Sequence, residues 1–290
     1  MLKRQTHGSV VCPSCGRLVG VQDAECFGCG RKNPGLWGFA PALKAVMGEF
    51  SFSTIVMYGC LGVYLISCVM NLGAVTQSSG LFSLFSPGTP ELWVLGASGS
   101  MPMFAEGRWW TPLSATWLHG GLLHILLNLY WLRGLAGAVE QLFGFGRTAI
   151  IYVLSGVAGF VGTSVMFFLP MPGFLQGAGI TVGASASMCG LLGALYAYGR
   201  AHRDFQMQQS IKMTGIFILV FGFLFPMVDN WAHIFGFLGG VGVGLALRPR
   251  DGEAAGHLVA GLFLVLLSAL ALVVSVLTGL DAYNAYLTQG

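Results

Sequence analysis

Long apolar stretches separated by short polar segments dominate the chain after residue 53. A helix needs about 20 apolar residues to span the hydrocarbon core of a bilayer, within a range of about 17 to 25. The fifth such stretch is marginal and ends at Pro226. The pattern predicts seven transmembrane helices, with six as the alternative, in the stretches 54–76, 117–136, 148–169, 183–199, 213–228, 231–247 and 256–279.

Composition supports a membrane location. Apolar residues make up 55% of the 290 residues and charged residues only 9%, whereas about a quarter of a soluble domain is charged. So few charges cannot cover a surface that faces water, and we expect an all-α polytopic membrane protein. The net charge of +3 gives no reason to expect nucleic acid as a partner. The polar first fifty residues contain no recognisable cleavable signal peptide.

The basic residues predict the orientation. With the N-terminus in the cytoplasm and seven alternating spans, every Lys and Arg except Arg108 lies on or near the cytoplasmic side. Cytoplasmic loops of membrane proteins carry an excess of Lys and Arg. We therefore expect a cytoplasmic N-terminus and an external C-terminus.

Four cysteines precede the first span in the segment CPSCGRLVGVQDAECFGCG. They form two Cys-x-x-Cys pairs, each followed by a glycine that allows a tight turn. This spacing is typical of structural zinc, and the reducing cytoplasm disfavours disulfides; four unrelated thiols are the alternative. The segment resembles the short zinc ribbons of many bacterial proteins, and a closed site of this kind has no open position for catalysis. The predicted ligands are Cys12, Cys15, Cys26 and Cys29.

Polar side chains are rare in the apolar stretches, where they cost free energy and by default mark function. The second stretch carries His119, His124 and Asn128, and the last two share one helical face. The fourth opens with GASASMCG, with Ser185 near its outer end, and the sixth opens with DNWAHIFG, with His233 just inside. Because these three spans run in the same direction, His124, Ser185 and His233 are expected at comparable depth in the outer half of the bilayer.

Small residues predict that the fourth and sixth spans pack closely, because they let helix backbones approach. This approach would bring Ser185 Oγ within hydrogen-bond reach of the His233 imidazole, and a serine needs an adjacent base to act as a nucleophile. The small residues are Gly190, Gly193, Ala232, Gly236 and Gly240.

Two nearly identical segments compete for the role of nucleophile, GASGS with Ser98 and GASAS with Ser185. Ser98 belongs to a predicted long, proline-rich loop over 77–116 that holds no histidine, where Gly and Ser are ordinary turn residues. Ser185 is therefore the predicted nucleophile. We interpret Ser187 as a structural residue on another helical face and His119 as a group that braces the outer loop.

Taken in order, these motifs resemble those of the rhomboid intramembrane serine proteases. The resemblance covers roughly residues 54–248 and rests on a His-x4-His-x3-Asn helix, a Gly-x-Ser helix start and an Ala-His-x2-Gly-x3-Gly helix. The segments GAVE and GLLGA, at 137–140 and 190–194, also resemble the family. The matching motif residues are His119, His124, Asn128, Gly183, Ser185, Ala232, His233, Gly236 and Gly240.

The resemblance implies an intramembrane serine endopeptidase that cleaves transmembrane segments of membrane proteins with a Ser–His dyad and no catalytic cofactor. Ser185 would attack the peptide carbonyl, and His233 would take the proton and later return it. His124, the Asn128 amide and the Ser185 backbone N–H would hold the oxyanion. The substrate helix would enter from the bilayer past the short fifth span. Residues supporting the site would be His119, Gly183, Gly236 and Gly240.

The resemblance also implies a six-helix core with one additional C-terminal helix, in a bacterial inner (cytoplasmic) membrane. A cytoplasmic partner for the ribbon is a further hypothesis. The predicted domains are a zinc-ribbon-like domain over 1–35, a linker over 36–53, the catalytic core over 54–248, and a seventh helix with its tail over 249–290.

Three positions depart from the family pattern. Ala186 stands where a glycine usually follows the serine, Cys189 stands where an aromatic often supports the histidine, and Thr111 stands where an arginine usually follows the tryptophans. None of these changes removes a chemical group from the mechanism, so we expect them to lower the rate rather than abolish activity.

Two other functions compete with proteolysis. A catalytically weak rhomboid-like pseudoprotease that binds transmembrane helices would share the fold, but such proteins normally lack the serine or the histidine. A small-solute transporter would also place a few polar groups in a bundle, yet it predicts an inverted repeat with broken helices, and no such repeat is visible.

Overall fold

The structure is a computed structural model that describes residues 4–13, 15–39, 51–77, 80, 83–225, 227–247 and 253–289. Most of the predicted linker over 36–53 lies outside these ranges, as does the predicted boundary near residue 248. Several residues used to predict the spans and the orientation also lie outside the described ranges, namely Lys3, Lys44, Pro226, Arg248 and Arg250.

The N-terminal segment contains a small antiparallel hairpin. Strands β1 (Ser9–Val11) and β2 (Leu18–Gly20) pair so that Val10 faces Val19. These two valines pack with Val21 and the buried cysteines into a separate small core. A short 3-10 turn over Leu36–Gly38 follows.

The longer elements that follow in the described chain are helices. Three short helices are α2 (Leu72–Gln77), α3 (Thr89–Leu95) and α4 (Thr111–Ser114). The long helices are α1 (Phe52–Met70), α5 (Leu122–Phe143), α6 (Phe145–Met166), α7 (Ser185–Ala201), α8 (Phe205–Leu224), α9 (Asn230–Leu247) and α10 (Ala255–Gln289).

Six of the helices in the described ranges are long and apolar enough to cross a membrane. The remaining long helix, α7, has 17 residues, and most of them are buried because α7 lies in the middle of the bundle. The chain is therefore a multi-pass, all-α integral membrane protein, with six or seven spans as the apolar pattern predicts.

Several predicted span boundaries are wrong: the second span, predicted over 117–136, is a helix over Leu122–Phe143, and the last, predicted over 256–279, extends to Gln289. Two further errors have a visible physical cause. The fifth span begins at Phe205, well before residue 213, because the Asp204 side chain accepts a hydrogen bond from the Met207 N–H and caps the helix there. The presumed loop over 77–116 contains α3, a π-helical turn at Met101–Ala105 and α4. Proline at the start of each of these elements fits the first turn of a helix rather than breaking it.

Helices α7 and α9 approach each other backbone to backbone. A Cβ at Gly240 would collide with the carbonyl oxygen of Gly190, and one at Gly236 would collide with that of Ala186. Helix α6 packs against both of them. The glycine pattern thus produces the close approach of the fourth and sixth spans that the sequence predicts.

Candidate active site and cysteine cluster

Ser185 and His233 face each other at the ends of two closely packed helices. Ser185 Oγ lies 2.9 Å from His233 Nε2, although the residues are 48 positions apart in sequence. Ser185 is the first residue of α7 and is half-buried, and His233 lies in the first turn of α9 and is buried. This is the geometry that a serine and its general base require.

The chain before Ser185 adopts a conformation that needs glycine. Gly183 has a φ of 134°, a region that residues with a side chain rarely occupy. Its N–H donates a hydrogen bond to the carbonyl oxygen of Ala115 (3.0 Å). This conformation turns the chain so that α7 starts at Ser185.

Asp229 caps the helix that carries His233. Its Oδ1 accepts hydrogen bonds from the Ala232 N–H (3.0 Å) and from the Thr163 hydroxyl (2.9 Å). The Thr163 oxygen in turn accepts the Ala178 N–H (2.9 Å). Asp229 therefore caps the start of α9 and links it to α6.

His124 presents one ring nitrogen to the serine. Its Nδ1 accepts a hydrogen bond from the Gly120 N–H (3.3 Å), so the neutral ring carries its proton on Nε2. A Cβ placed on Gly183 would lie 2.8 Å from that Nε2 and 3.6 Å from Ser185 Oγ. The N–H donor of His124 therefore points to the space beside the serine.

Asn128 lies one turn further along α5 on the same face. Its Nδ2 donates a hydrogen bond to the carbonyl oxygen of His124 (2.8 Å). An amide nitrogen carries two hydrogens, so a second donor remains for a ligand in the site.

A cavity of about 1240 Å³ opens onto these side chains. His124, Asn128, Ser185 and His233 line its polar end. Apolar side chains of α5 and α8 line its sides, including Leu127, Trp131, Leu135, Phe217 and Phe221. The volume exceeds the range of about 300–1,000 Å³ that is usual for ligand sites and suits an extended peptide segment.

The remaining site residues of the sequence analysis lie close by. His119 is fully buried, and its ring centroid lies 5.1 Å from that of His124. Ser187 Oγ lies 3.1 Å from Thr116 Oγ1 in the core, as a structural residue should. Gly236 contacts the backbone beside the serine, and Gly240 lies one turn lower.

The three departures from the family pattern are buried. The Ala186 methyl packs in an apolar cluster with Ala115, Phe160 and Ala232. Thr111 donates a long hydrogen bond to Ser98 Oγ (3.4 Å). Cys189 lines the cavity below the serine.

Sequence reasoning missed a pairing beside the site. Ser98 and Thr181 exchange two backbone hydrogen bonds, of 3.0 and 2.7 Å. The Ser100 and Met101 N–H groups donate to the carbonyl oxygens of Ala178 and Gly179 (both 3.1 Å). The paired residues are 78 to 83 positions apart in sequence and show no apolar alternation, so no local pattern predicts the pairing.

The four cysteines of the N-terminal segment form one cluster. All four Sγ atoms lie within 4.8 Å of one another, with Cys12 and Cys29 separated by 3.8 Å and Cys15 and Cys26 by 3.6 Å. A tetrahedral zinc site with Zn–S bonds of about 2.3 Å has S···S separations of about 3.8 Å. The cluster therefore has the dimensions of a four-thiolate metal site.

The pKa values of Cys26 and Cys29 are shifted in opposite directions. Burial raises its pKa, but hydrogen bonds from the Gly28 and Cys29 backbone and from neighbouring thiols lower the pKa to about 7. The Arg31 backbone lowers the pKa of Cys29, while burial and the other thiols raise it, to about 12. At neutral pH a thiolate, the form that binds metal, is therefore available at Cys26.

Comparison with known proteins places the membrane region in one family. The model of the Rhomboid domain matches residues 106–250, half of the chain. RHOMBOID-like protein 5 of Arabidopsis thaliana is 39% identical over 176 residues, covering 58% of this chain and 54% of that protein.

Two further relatives differ in their stated activity. Rhomboid protease GluP of Bacillus subtilis (strain 168) is 32% identical over 187 residues, covering 63% of this chain and 35% of that protein. Inactive rhomboid protein 2 of Homo sapiens is 31% identical over 147 residues, covering 49% of this chain and 16% of that protein. The chain thus spans about half or less of the length of these relatives.

Proposed function

The chain belongs to the rhomboid family, and on that premise we propose that it is an intramembrane serine endopeptidase that cleaves transmembrane segments of membrane proteins. The observation that carries the proposal is the 2.9 Å separation of Ser185 Oγ and His233 Nε2. An inactive relative needs no base at hydrogen-bond distance from a serine that faces a cavity.

In the proposed reaction Ser185 and His233 act as a dyad. The Ser185 hydroxyl donates its proton to His233 Nε2 as Oγ forms a bond to the scissile carbonyl carbon. The imidazolium then gives that proton to the departing amine as the C–N bond breaks, and a water hydrolyses the acyl-enzyme by the same route. We do not include Asp229 as a third catalytic member, because its carboxylate caps the start of α9 rather than contacting the imidazole.

The oxyanion would be stabilised by three donors. These are His124 Nε2–H, the second Asn128 Nδ2 hydrogen and the Ser185 backbone N–H, which opens α7 and has no intrahelical acceptor. Donors fixed in advance contribute strongly in a site from which bulk water is excluded. The Gly120 hydrogen bond to His124 Nδ1 supports this assignment, since it leaves the proton on the nitrogen that faces the serine.

Substrate would reach the cavity from the bilayer between α5 and α8. Helix α8, all of which the structure describes, has Ile211 and Gly222 as its only buried residues, so it is loosely held. A transmembrane segment must leave its helical hydrogen bonds before a peptide bond can be attacked, and the large cavity gives such an unwound segment room.

The second candidate function is a rhomboid-like protein that binds transmembrane helices without cleaving them. It is favoured by the similarity to Inactive rhomboid protein 2 and by the loosely held α8. On this alternative the same cavity would hold an intact helix.

Cleavage of a generic transmembrane substrate by the purified protein in proteoliposomes separates the two. We expect cleavage by the unmutated protein and none by Ser185→Ala or His233→Ala. Persisting cleavage in either variant would refute the dyad. Absence of cleavage by the unmutated protein, with substrate still captured, would favour the binding function.

Residues 1–35 are proposed to form a zinc ribbon on the cytoplasmic side, with the N-terminus inside and the C-terminus outside, and the ribbon is proposed to dock a cytoplasmic partner. The spacing of the four sulfurs supports zinc, and the distribution of Lys and Arg supports the orientation. The proposed domains are the ribbon, a linker to residue 53, the catalytic core over 54–248, and the C-terminal helix with its tail. A bacterial inner membrane stays a prediction, because both plant and bacterial proteins are among the relatives.

A further inference from the structure

The C-terminal helix α10 takes no part in the proposed chemistry, yet its buried face carries polar groups. Ser268 and Ser275 are fully buried, seven residues apart, and therefore on the same helical face. The opposite face exposes large apolar side chains, among them Phe263, Leu266 and Leu277. The buried face of α10 therefore combines apolar packing, including Ala271, with two hydroxyl groups.

Each of these buried polar groups meets one stretch of chain, residues 89–118. Trp117 Nε1 donates to Ser268 Oγ (3.1 Å), and Trp110 Nε1 donates to Ser275 Oγ (3.0 Å). Towards the end of the helix, the Tyr283 hydroxyl donates to the buried carboxylate of Glu91 (2.9 Å). The contacts are therefore spread along about 15 residues, or roughly 22 Å, of α10.

Arg108 adds the strongest donor to this interface. Its guanidinium is almost fully buried and donates to the Ser275 carbonyl oxygen (2.9 Å) and to the Trp93 carbonyl oxygen (2.7 Å). It also lies over the Trp93 ring, 4.3 Å from the centroid. A single cation thus joins α10 to the end of α3. Arg108 is also the residue that departs from the predicted cytoplasmic distribution of basic residues.

The same 89–118 stretch also contacts the residues around Ser185. Ser98 pairs with Thr181 through two backbone hydrogen bonds, and the Ala115 carbonyl accepts the Gly183 N–H, two residues before Ser185. Thr116 contacts Ser187 in the first turn of α7. The stretch therefore lies between α10 and the segment that sets the position of the serine.

We propose that α10 is a positioning element of the active site, with Arg108, Ser268 and Ser275 as positioning residues that hold the 89–118 stretch and, through it, Gly183 and Ser185. The inference rests on the proposed proteolytic function. None of these three residues lines the cavity at Ser185. Their effect is on the alignment of the serine with its oxyanion donors, and small misalignments at such sites cost large factors in rate.

The test compares variants of the full chain in proteoliposomes. We expect Ser268→Ala combined with Ser275→Ala to lower kcat about three- to tenfold with little change in KM, since a buried hydrogen bond is worth a factor of this size. Arg108→Gln should have a larger effect on kcat, and Arg108→Lys should restore part of it, because a lysine keeps the charge but cannot donate to both carbonyls.

A matched control is available on the same helix. His257 Nδ1 accepts a hydrogen bond from Arg147 Nε (3.1 Å) at the other end of α10, away from the 89–118 stretch. His257→Leu should lower the melting temperature about as much as the serine variants do and leave kcat unchanged. An equal fall in kcat for His257→Leu, or unchanged kcat in the serine and Arg108 variants, would overturn the proposal.

Two further experiments test the proposal: a double-mutant cycle, and a hydrogen-exchange measurement that does not depend on cleavage. Trp110→Phe should add little to Ser275→Ala if one hydrogen bond carries the effect, and additive losses would contradict that. Amide hydrogen exchange at 98–101 and 178–183 should accelerate in Arg108→Gln but not in His257→Leu. This second readout decides the positioning role even if the unmutated protein proves not to cleave, a result that would refute the proposed function alone.

Discussion

The segments GASGS at 96–100 and GASAS at 183–187 are identical at four of five positions. The first pairs with the chain that leads into α7, and the second includes the start of α7. Ser98 is fully buried, and its backbone is used twice in pairing with Thr181. Ser185 is half-buried at a cavity, and its hydroxyl faces an imidazole. One serine supports the chain that positions the other.

The difference lies in what surrounds each segment. In the first, glycine serves tight turns: Gly96 and Gly99 both have positive φ and lie against neighbouring chain. In the second, Gly183 turns the chain into α7, and Gly190 lets α9 approach closely enough to deliver His233. A serine in a Gly-x-Ser motif can act as a nucleophile only where another helix brings a base to it. The motif itself does not specify that helix.

The largest expected effect distinguishes the two serines directly. Ser185→Ala should lower kcat by about 10⁶-fold, as removal of a serine nucleophile does elsewhere, because no other hydroxyl faces His233 in the described chain. Ser98→Ala removes only an acceptor for Thr111 and should leave kcat within about threefold. The rates at which both variants cleave one substrate check this prediction. A comparable loss of kcat for Ser98→Ala would contradict the assignment of different roles to the two serines.

A smaller loss is expected when an oxyanion donor is removed. Asn128→Ala should lower kcat about 10²- to 10³-fold while KM changes little, since the donor acts mainly in the transition state. Steady-state kinetics separates the two constants. A rise in KM at unchanged kcat would instead mark Asn128 as a residue for binding substrate.

The turn before the nucleophile should be next in size. Gly183→Ala forces a side chain into a φ of 134° and against His124, so we expect kcat to fall about tenfold or more. Gly30→Ala is the matched control, because Gly30 also has positive φ, nothing lies near its Cβ position, and it lies outside the proposed catalytic core. That variant should lose about 1 kcal/mol of stability and keep its activity. Equal activities of the two variants would contradict the assigned role of Gly183.

The smallest effect on proteolysis is expected from the cysteine cluster. Cys12→Ser combined with Cys26→Ser should remove the bound metal and unfold residues 1–35, since so small a domain depends on its metal. Cleavage by the membrane core should stay within about twofold. Elemental analysis measures the zinc and the cleavage assay measures the rate. A metal content well below one equivalent in the unmutated protein would refute the ribbon.

Much of this architecture could be predicted from the sequence because lipid imposes strict rules. Apolar length predicts the spans, and polar residues within them are few enough that His124, Ser185 and His233 stand out. Glycine spacing predicts the close packing of α7 and α9. These signals are local or periodic, so they survive without knowledge of the fold.

The sequence-based prediction was least accurate in the 77–116 region. Its pairing with residues 178–183 and its contacts with α10 join positions up to 192 residues apart, and neither leaves a periodic pattern. The start of α8 was also missed, because polar residues in its first turns conceal a helix that Asp204 caps. Long-range contacts of irregular chain are decided by packing, which no single segment encodes.

A fluorophosphonate probe tests directly whether Ser185 is a nucleophile activated by His233. The modified peptide is identified by mass spectrometry. We predict one adduct, on Ser185, that disappears in His233→Ala because the serine then lacks its base. An adduct on Ser98 or another serine, or equal labelling of Ser185 without His233, would contradict it.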